Sequence, residues 1–220
     1  MSEQKKKCIF SVFDNERDCI KSILDLHNEG NPIDVDPMYN KGAFYNGNTV
    51  KKPSFRFDLR AEENKYDAKV GDAANLPIEP NSVNCVILDP PFIFNPHGKA
   101  KNNSALKRFS AFDDFDKLEK CYKGIIKEAH RILAPKGTLI FKCQDYTDSK
   151  TTMTHCFVWK WATECGFYAK DIAIVNVTRG KKYNPNLKQK HLRKSHCYFF
   201  VFKKVTQGRM PLPMPPKEGE

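Results

Sequence analysis

The sequence predicts an α/β fold in which helices cover both faces of a mostly parallel sheet. Two observations predict it. Short apolar runs of strand type alternate with longer stretches whose apolar residues recur at steps of three and four. The last two strand-type runs have no helical pattern between them, which predicts an antiparallel pair at one edge of the sheet.

The first part of the chain contains one predicted helix and four predicted strands. The helix covers residues 14–29, because their apolar residues fall on or near one face and Gly30 follows as a stop signal. The strands cover residues 33–36, 54–59, 68–70 and 84–88. Each ends near Gly, Pro or Asp, as strands that lead into functional loops do.

The second part contains the longest predicted helix, over residues 114–134, which Pro135-Lys136-Gly137 terminates. The remaining predicted elements are a strand over 138–141, a helix over 151–164, and strands over 169–177 and 197–202. The tail from residue 206 contains four prolines, which predicts disorder. We therefore expect a single domain over residues 1–205 and a Pro-rich tail over 206–220.

The composition limits the location and the partners. No apolar run approaches the ~20 residues that span a bilayer, and no signal-peptide core follows the basic N-terminus, so a cytoplasmic (intracellular) location is expected. The eight cysteines form no CxxC pair, which favours reduced core residues over a disulfide or zinc framework, and no metal site is expected. The formal net charge of +11 favours polyanion partners, although an ordinary basic surface has the same composition.

The segment Asp89-Pro90-Pro91-Phe92 carries the strongest chemical signal. It follows a buried-type strand, and ligands of open α/β sheets bind at the carboxyl ends of strands. Asp89 and the Pro90 carbonyl are suited to accept both hydrogens of a planar amino group, while Phe92 stacks on the ring that bears it. Accepting both hydrogens makes the nitrogen lone pair nucleophilic. The alternative is a rigid proline turn capped by an aspartate.

Asp89-Pro90-Pro91-Phe92 resembles the catalytic motif of the amino methyltransferases, which form N6-methyladenine and N4-methylcytosine. Residues 70–77 resemble the segment that this family places before its catalytic strand, and residues 131–139 resemble its helix-to-strand turn. The resemblance covers residues 70–141. It implies a Rossmann-like class I methyltransferase with about seven strands, S-adenosylmethionine as cofactor, and a catalytic set of Asp89, Pro90, Pro91 and Phe92.

The resemblance also implies where the cofactor binds. The family's glycine-rich loop after the first strand is missing, and residues 34–44 are its nearest equivalent. An acid at the end of the next strand would accept from the ribose hydroxyls, and one before the catalytic strand would lie near the cofactor's adenine. The candidate cofactor residues are Asp34, Asp36, Pro37, Gly42, Asp58, Leu59, Asp72 and Ala73.

Two basic segments are candidates for nucleic-acid contacts. In residues 92–112, basic residues interleave with aromatic ones directly after the catalytic motif, which suits a loop that grips a strand; a solvated connection is the alternative. Residues 178–195 contain the densest charge run, which suits phosphate contacts or simply a solvated face. The candidates are Lys99, Lys101, Lys107, Arg108, Arg179, Lys181, Lys182, Lys188, Lys190, Arg193 and Lys194.

The function expected from the sequence is methyl transfer from S-adenosylmethionine to an exocyclic amino group, with adenine N6 in DNA preferred. Two alternatives stay open: an RNA adenine-N6 methyltransferase, and an inactive nucleic-acid-binding module on the same fold. The expected partners are DNA or RNA as substrate and, among proteins, a second copy in a homodimer or a specificity subunit. No membrane partner is expected.

Overall fold

The computed structural model describes residues 8–60, 67–92, 112–147, 150–177 and 188–205. Within them the helices are α1 (Glu16–His27), α2 (Phe115–Ile132) and α3 (Thr154–Glu164), with a 3-10 turn at Ala43–Tyr45. The strands are β1 (Val12–Phe13), β2 (Val35–Asp36), β3 (Phe55–Asp58), β4 (Lys69–Val70), β5 (Val83–Leu88), β6 (Leu133–Cys143), β7 (Tyr146–Thr147), β8 (Thr151–Thr152), β9 (Phe167–Asn176) and β10 (His196–Lys204).

Eight of the strands in the described segments form one sheet in the order β1-β9-β10-β6-β5-β2-β3-β4. All neighbours pair in parallel except those of β10, which runs antiparallel to both β6 and β9. The predicted fold class is therefore confirmed. The predicted antiparallel edge needs a correction, because β10 is inserted between two strands and β1, which pairs with β9, forms the edge.

Helices pack on both faces of this sheet, and β5 illustrates why. Its side chains alternate, so Cys85 and Ile87 pack in the cluster that contains α1, while Val86 and Leu88 pack in the cluster that contains α2 and α3. Because both faces are covered, β5 is apolar at nearly every position, as expected for a central parallel strand. The strand therefore ends at a fixed place between two cores, and Asp89 follows it.

The helices begin where side chains cap their first amides. The Asn15 side chain accepts from the Asp18 amide at the start of α1, and the Asp114 side chain accepts from the Lys117 amide at the start of α2. At the end of α2 the chain enters β6 directly at Leu133, five residues before the strand predicted from the sequence. The Pro135-Lys136-Gly137 segment thus lies within a long strand rather than in a connecting loop.

The cysteines are all free, and four of them are buried: Cys19, Cys85, Cys143 and Cys197. Cys8 and Cys156 are exposed, so the prediction of reduced core cysteines is correct for only part of the set. No helix of the described segments is both long enough and apolar enough to cross a bilayer. The predicted Pro-rich tail, residues 206–220, lies outside the described residues.

Candidate active site

Acidic residues lie at the carboxyl ends of four neighbouring strands, on one side of the sheet. Asp36 and Asp58 are the last residues of β2 and β3, Asp72 lies two residues beyond β4, and Asp89 directly follows β5. These strands are adjacent and parallel, in the order β5-β2-β3-β4, so their carboxyl ends share one edge. The fold therefore brings together four acids that lie far apart in the sequence.

Asp89 is half-buried and is paired with a lysine. Its Oδ2 accepts from the Lys142 ammonium at 2.9 Å, and the same ammonium lies 2.9 Å from Oε1 of Glu16. Burial raises the pKa of Asp89, and the charge and hydrogen bond of Lys142 oppose that rise. The Asp89 carboxylate therefore stays partly accessible, while the Lys142 ammonium compensates its charge at Oδ2.

Lys142 and Glu16 were not recognised in the sequence. Lys142 is the penultimate residue of β6, and Glu16 is the first residue of α1. The sequence contained one signal for Lys142, because it is the single charged residue in the apolar run 139–143. The predicted strand ended at residue 141 and so did not include it. A lysine at such a position requires a partner for its charge, and the partners come from elements distant in sequence.

The two prolines after Asp89 form a turn that is held against α2. Pro90 is buried, and the Pro91 carbonyl accepts from the Tyr122 hydroxyl at 3.0 Å. Tyr122 is fully buried in the core under this turn. Phe92 is half-buried next to it. The motif is therefore fixed from below by α2, with Asp89 and Phe92 both partly accessible.

Asp36 is buried, and both of its carboxylate oxygens have donors. Oδ2 accepts from the Tyr45 hydroxyl at 2.7 Å, and Oδ1 accepts from the Met38 amide at 3.0 Å. Burial raises the pKa of Asp36 to about 7, against the lowering effect of these hydrogen bonds and with a further rise from the charges of Asp89 and Asp58. Asp36 lies close enough to both acids for their charges to act on it.

The loop after β2 replaces a glycine-rich turn with aromatic packing. Tyr39 stacks on Tyr45 with ring centroids 5.4 Å apart. Gly42 has a φ of 64°, and a Cβ there would lie 2.5 Å from the Tyr39 hydroxyl oxygen, so this position requires glycine. Pro37 is buried in the same loop. Gly42 and Pro37 thus help to set the backbone conformation of the loop after β2.

The acids after β3 and β4 are oriented by backbone amides. Asp58 accepts from the amides of Asn40 and Arg60, at 3.0 and 2.8 Å. Asp72 is exposed and accepts from the amide of Ala74 at 2.9 Å. Asp58 therefore joins the loop after β2 to the end of β3. Of the neighbouring candidates, Leu59 is exposed and Ala73 is buried.

Asp34 needs a correction, because the structure places it away from the other acids. It precedes β2, and its Oδ2 accepts from the amides of Asn84 and Cys85, at 2.7 and 2.9 Å. Those amides lie near the beginning of β5, whereas Asp89 follows its end. Asp34 therefore fixes two strands to each other, and we leave it out of the proposed cofactor site.

A second polar cluster lies beyond the end of β6. The buried Asp145 accepts from Nδ1 of His155 at 2.7 Å and from the Tyr198 hydroxyl at 3.4 Å. His155 stacks on Tyr198, with ring centroids 4.5 Å apart, and His196 lies 2.9 Å from the same hydroxyl. No group of three or more metal-ligating side chains occurs among the described residues.

The predicted basic surface is described only in part. Lys188, Lys190 and Arg193 are exposed, and Lys194 is half-buried with its carbonyl accepting from the Gln144 side chain. This stretch leads into β10, whose first residues lie beside the end of β6, so it reaches the edge that carries Asp89. The other candidates lie outside the described residues: Lys99, Lys101, Lys107, Arg108, Arg179, Lys181 and Lys182.

A sequence model of the N6/N4 DNA methylases matches residues 83–217, from the first residue of β5 onward. The chain belongs to the N6/N4 DNA methylase family. The match includes both Asp89-Pro90-Pro91-Phe92 and Lys142. A search of curated proteins finds no match to this sequence.

Solved structures of methyltransferases resemble this chain. An inferred DNA modification methylase of Thermus thermophilus is 18% identical, over 66% of this chain and 56% of that one, with a TM-score of 0.46. The chain thus spans little more than half of that protein's length. The 1,6-didemethyltoxoflavin-N1-methyltransferase of Burkholderia thailandensis is 12% identical, over 84% and 76% of the two chains, with a TM-score of 0.51. The latter likeness shows a Rossmann-like methyltransferase fold.

Proposed function

We propose that this chain transfers a methyl group from S-adenosylmethionine to an exocyclic amino group of a nucleic-acid base, with adenine N6 in DNA as the preferred target. The observation that carries the proposal is the position of Asp89-Pro90-Pro91-Phe92 at the carboxyl end of β5, with a half-accessible carboxylate. Membership in the N6/N4 DNA methylase family supports the same reaction class.

The acids after β2, β3 and β4 fit S-adenosylmethionine, which would supply the activated methyl group. Asp58 is already oriented by two amides, and its oxygens have further lone pairs for the ribose hydroxyls. Asp72 is exposed and suits the adenine amino group. Asp36 is a buried acid with no cationic partner among the groups that shift its pKa, so a cation nearby would stabilise its charged form.

The base is bound by the motif after β5. Asp89 and the Pro90 carbonyl accept the two amino hydrogens, and Phe92 stacks on the ring. The nitrogen lone pair is thereby directed out of the ring plane. As the nitrogen–methyl bond forms, the sulfur–methyl bond of the donor would break, S-adenosylhomocysteine would leave, and the proton lost from the nitrogen would pass to solvent. Fixed acceptors of this kind lower the barrier because they require no reorganisation during the reaction.

We also propose the domain arrangement and the substrate. The arrangement is one domain over residues 1–205, followed by a Pro-rich tail over residues 206–220. The basic segments or a second subunit would contribute to sequence specificity. DNA is preferred over RNA because the family is described as DNA methylases.

The test is transfer of labelled methyl from S-adenosylmethionine to unmethylated DNA and to total RNA, with the modified nucleoside identified by mass. N6-methyladenine in DNA is the expected product. N4-methylcytosine would keep the reaction and change the base, and N6-methyladenine in RNA would change the nucleic acid. No transfer to either, together with no cofactor binding by calorimetry, would favour the inactive binding module.

A further inference from the structure

We propose that Lys142 is a positioning residue for this methyl transfer. It fixes one carboxylate oxygen of Asp89 and supplies the charge that offsets its burial, while Glu16 holds Lys142 in place. The second oxygen, Oδ1, is then left to accept from the amino group of the base. This inference rests on the proposed function and adds two residues, Lys142 and Glu16, that lie outside the Asp-Pro-Pro-Phe motif.

The register of the sheet places Lys142 beside Asp89. Leu88 of β5 pairs with Phe141 of β6, and Asp89 and Lys142 are the next residues of the two chains. The Lys142 ammonium lies 2.9 Å from both Asp89 Oδ2 and Glu16 Oε1. It also lies 5.1 Å from the ring centroid of Phe44 and 6.0 Å from that of Phe199.

The side chain of Lys142 has little freedom to leave this position. Only 12% of it is exposed, against 26% for Asp89 and 30% for Glu16. Burial disfavours its charge, but the charges of Asp89 and Glu16 outweigh that effect and raise the pKa of Lys142. The ammonium is therefore retained throughout the pH range in which an enzyme works.

The other groups whose pKa values respond to the charge of Asp89 come from four elements. They are Asp36 on β2, Tyr122 on α2, Cys143 on β6 and Cys197 on β10. Burial raises the pKa of Tyr122, Cys143 and Cys197, so these three stay neutral near pH 7. Among the described groups, Asp36 titrates near pH 7, while Lys142 and Glu16 act on the Asp89 pKa in opposite directions.

Lys203 provides a matched comparison. It is also a partly buried lysine of a central strand, but its ammonium donates to the His27 carbonyl and the Thr138 hydroxyl, at 2.6 and 2.7 Å. Burial lowers the pKa of Lys203, the opposite direction to Lys142. Lys203 has the contacts of a structural lysine, whereas Lys142 bridges two carboxylates at the motif.

The experiment compares Lys142→Met, Lys142→Arg, Glu16→Gln and Lys203→Met by kcat, KM and pH profile on a DNA oligonucleotide. Lys142→Met should lower kcat and move the acid limb of the profile upward by about one to two pH units, because Asp89 loses its compensating charge. Glu16→Gln should move the same limb downward. Lys142→Arg should restore a limb near that of the wild type, and Lys203→Met should leave it unchanged.

Carbon-13 NMR of labelled aspartate carboxyls provides a readout that does not depend on turnover, with the Asp89 signal assigned by its loss in Asp89→Asn. The Asp89 pKa should rise in Lys142→Met and fall in Glu16→Gln. Shifts of the same sign in both variants would overturn the proposal, as would a Lys142→Met variant impaired only in S-adenosylmethionine affinity. If the wild type transfers no methyl group, the proposed function fails. If the Asp89 pKa does not change in Lys142→Met, the role proposed for Lys142 is refuted, whether or not methyl transfer occurs.

Discussion

The carboxyl edge of the sheet has two halves that differ in how their acids are stabilised. After β2 and β3, Asp36 and Asp58 accept from backbone amides and from a tyrosine hydroxyl, all of them neutral donors. After β5, Asp89 accepts from an ammonium. The first half therefore contains two acids whose donors carry no compensating charge, whereas the second half contains a lysine paired with its acid.

This difference indicates which kind of ligand each half suits. Unneutralised acids favour a ligand that brings positive charge, such as a sulfonium or an ammonium group. A carboxylate already paired with a lysine favours a neutral donor, such as the amino group of a base, because a second cation would compete with Lys142. The two halves thus match the two substrates of the proposed reaction.

The largest expected effect comes from Asp89→Asn, which removes the carboxylate charge from the second half and replaces one of its two acceptor oxygens by a donor. Methyl transfer should fall by about 10²–10³-fold or more, because a fixed electrostatic contact to the reacting group is lost. Cofactor affinity, measured by calorimetry, should change little, because the first half is intact. Turnover close to that of the wild type would contradict the role given to Asp89.

Asp58→Ala should have the next largest effect, and on the other half of the edge. Loss of a hydrogen bond to a charged group costs about 1.5–3 kcal/mol, so cofactor affinity should fall roughly ten- to hundredfold. With saturating cofactor, kcat should be close to that of the wild type. If Asp58→Ala kept normal cofactor affinity but had a reduced kcat, the assignment of the cofactor to the first half would be wrong.

Asp36 should make cofactor binding depend on pH. Its pKa of about 7 is that of the protein without a bound cation. A cationic ligand favours the carboxylate, so binding below pH 7 must release a proton, and affinity should fall as pH decreases from 8 to 6, by about tenfold. Asp36→Asn should flatten that dependence. An equal slope in the variant would assign the titration to another group.

The smallest effect on turnover is expected for the basic stretch before β10. Lys188→Gln with Lys190→Gln should reduce the salt slope of DNA binding by about one to two, because each lost phosphate contact removes nearly one released counterion. The matched control is Lys120→Gln with Lys127→Gln, which removes the same charge from the exposed face of α2. Equal slopes in both double variants would mean that this stretch only faces solvent.

Much of the fold could be predicted because local patterns determine it. The two capped amphipathic helices α1 and α2 form where the sequence indicates them. Each of the five apolar runs before residue 142 contains a strand or part of one, although β6 begins before its predicted run. The two-residue strands β1, β7 and β8 were not predicted, because two residues have no periodicity of their own. The equally short β2 and β4 were predicted because each lies within one of the apolar runs. The insertion of β10 between β6 and β9 depends on strand pairing across the chain, which local pattern does not encode.

The candidate site divides in the same way. Asp89-Pro90-Pro91-Phe92 is contiguous, so its position after β5 follows from the strand prediction alone. Lys142 and Glu16 meet Asp89 only after three elements assemble, and no spacing in the sequence connects them. Asp34 was misassigned because an acid before a short strand and an acid after it look alike until the register with β5 is known.

The buried cysteines have a consequence for the selectivity of the proposed reaction. A thiolate is a strong nucleophile and would compete with a base amine for an electrophilic methyl group. Cys143 directly follows Lys142, and Cys85 lies on the strand that leads to Asp89. Burial raises the pKa of both thiols, so both stay protonated. These two thiols are therefore poor acceptors for the methyl group.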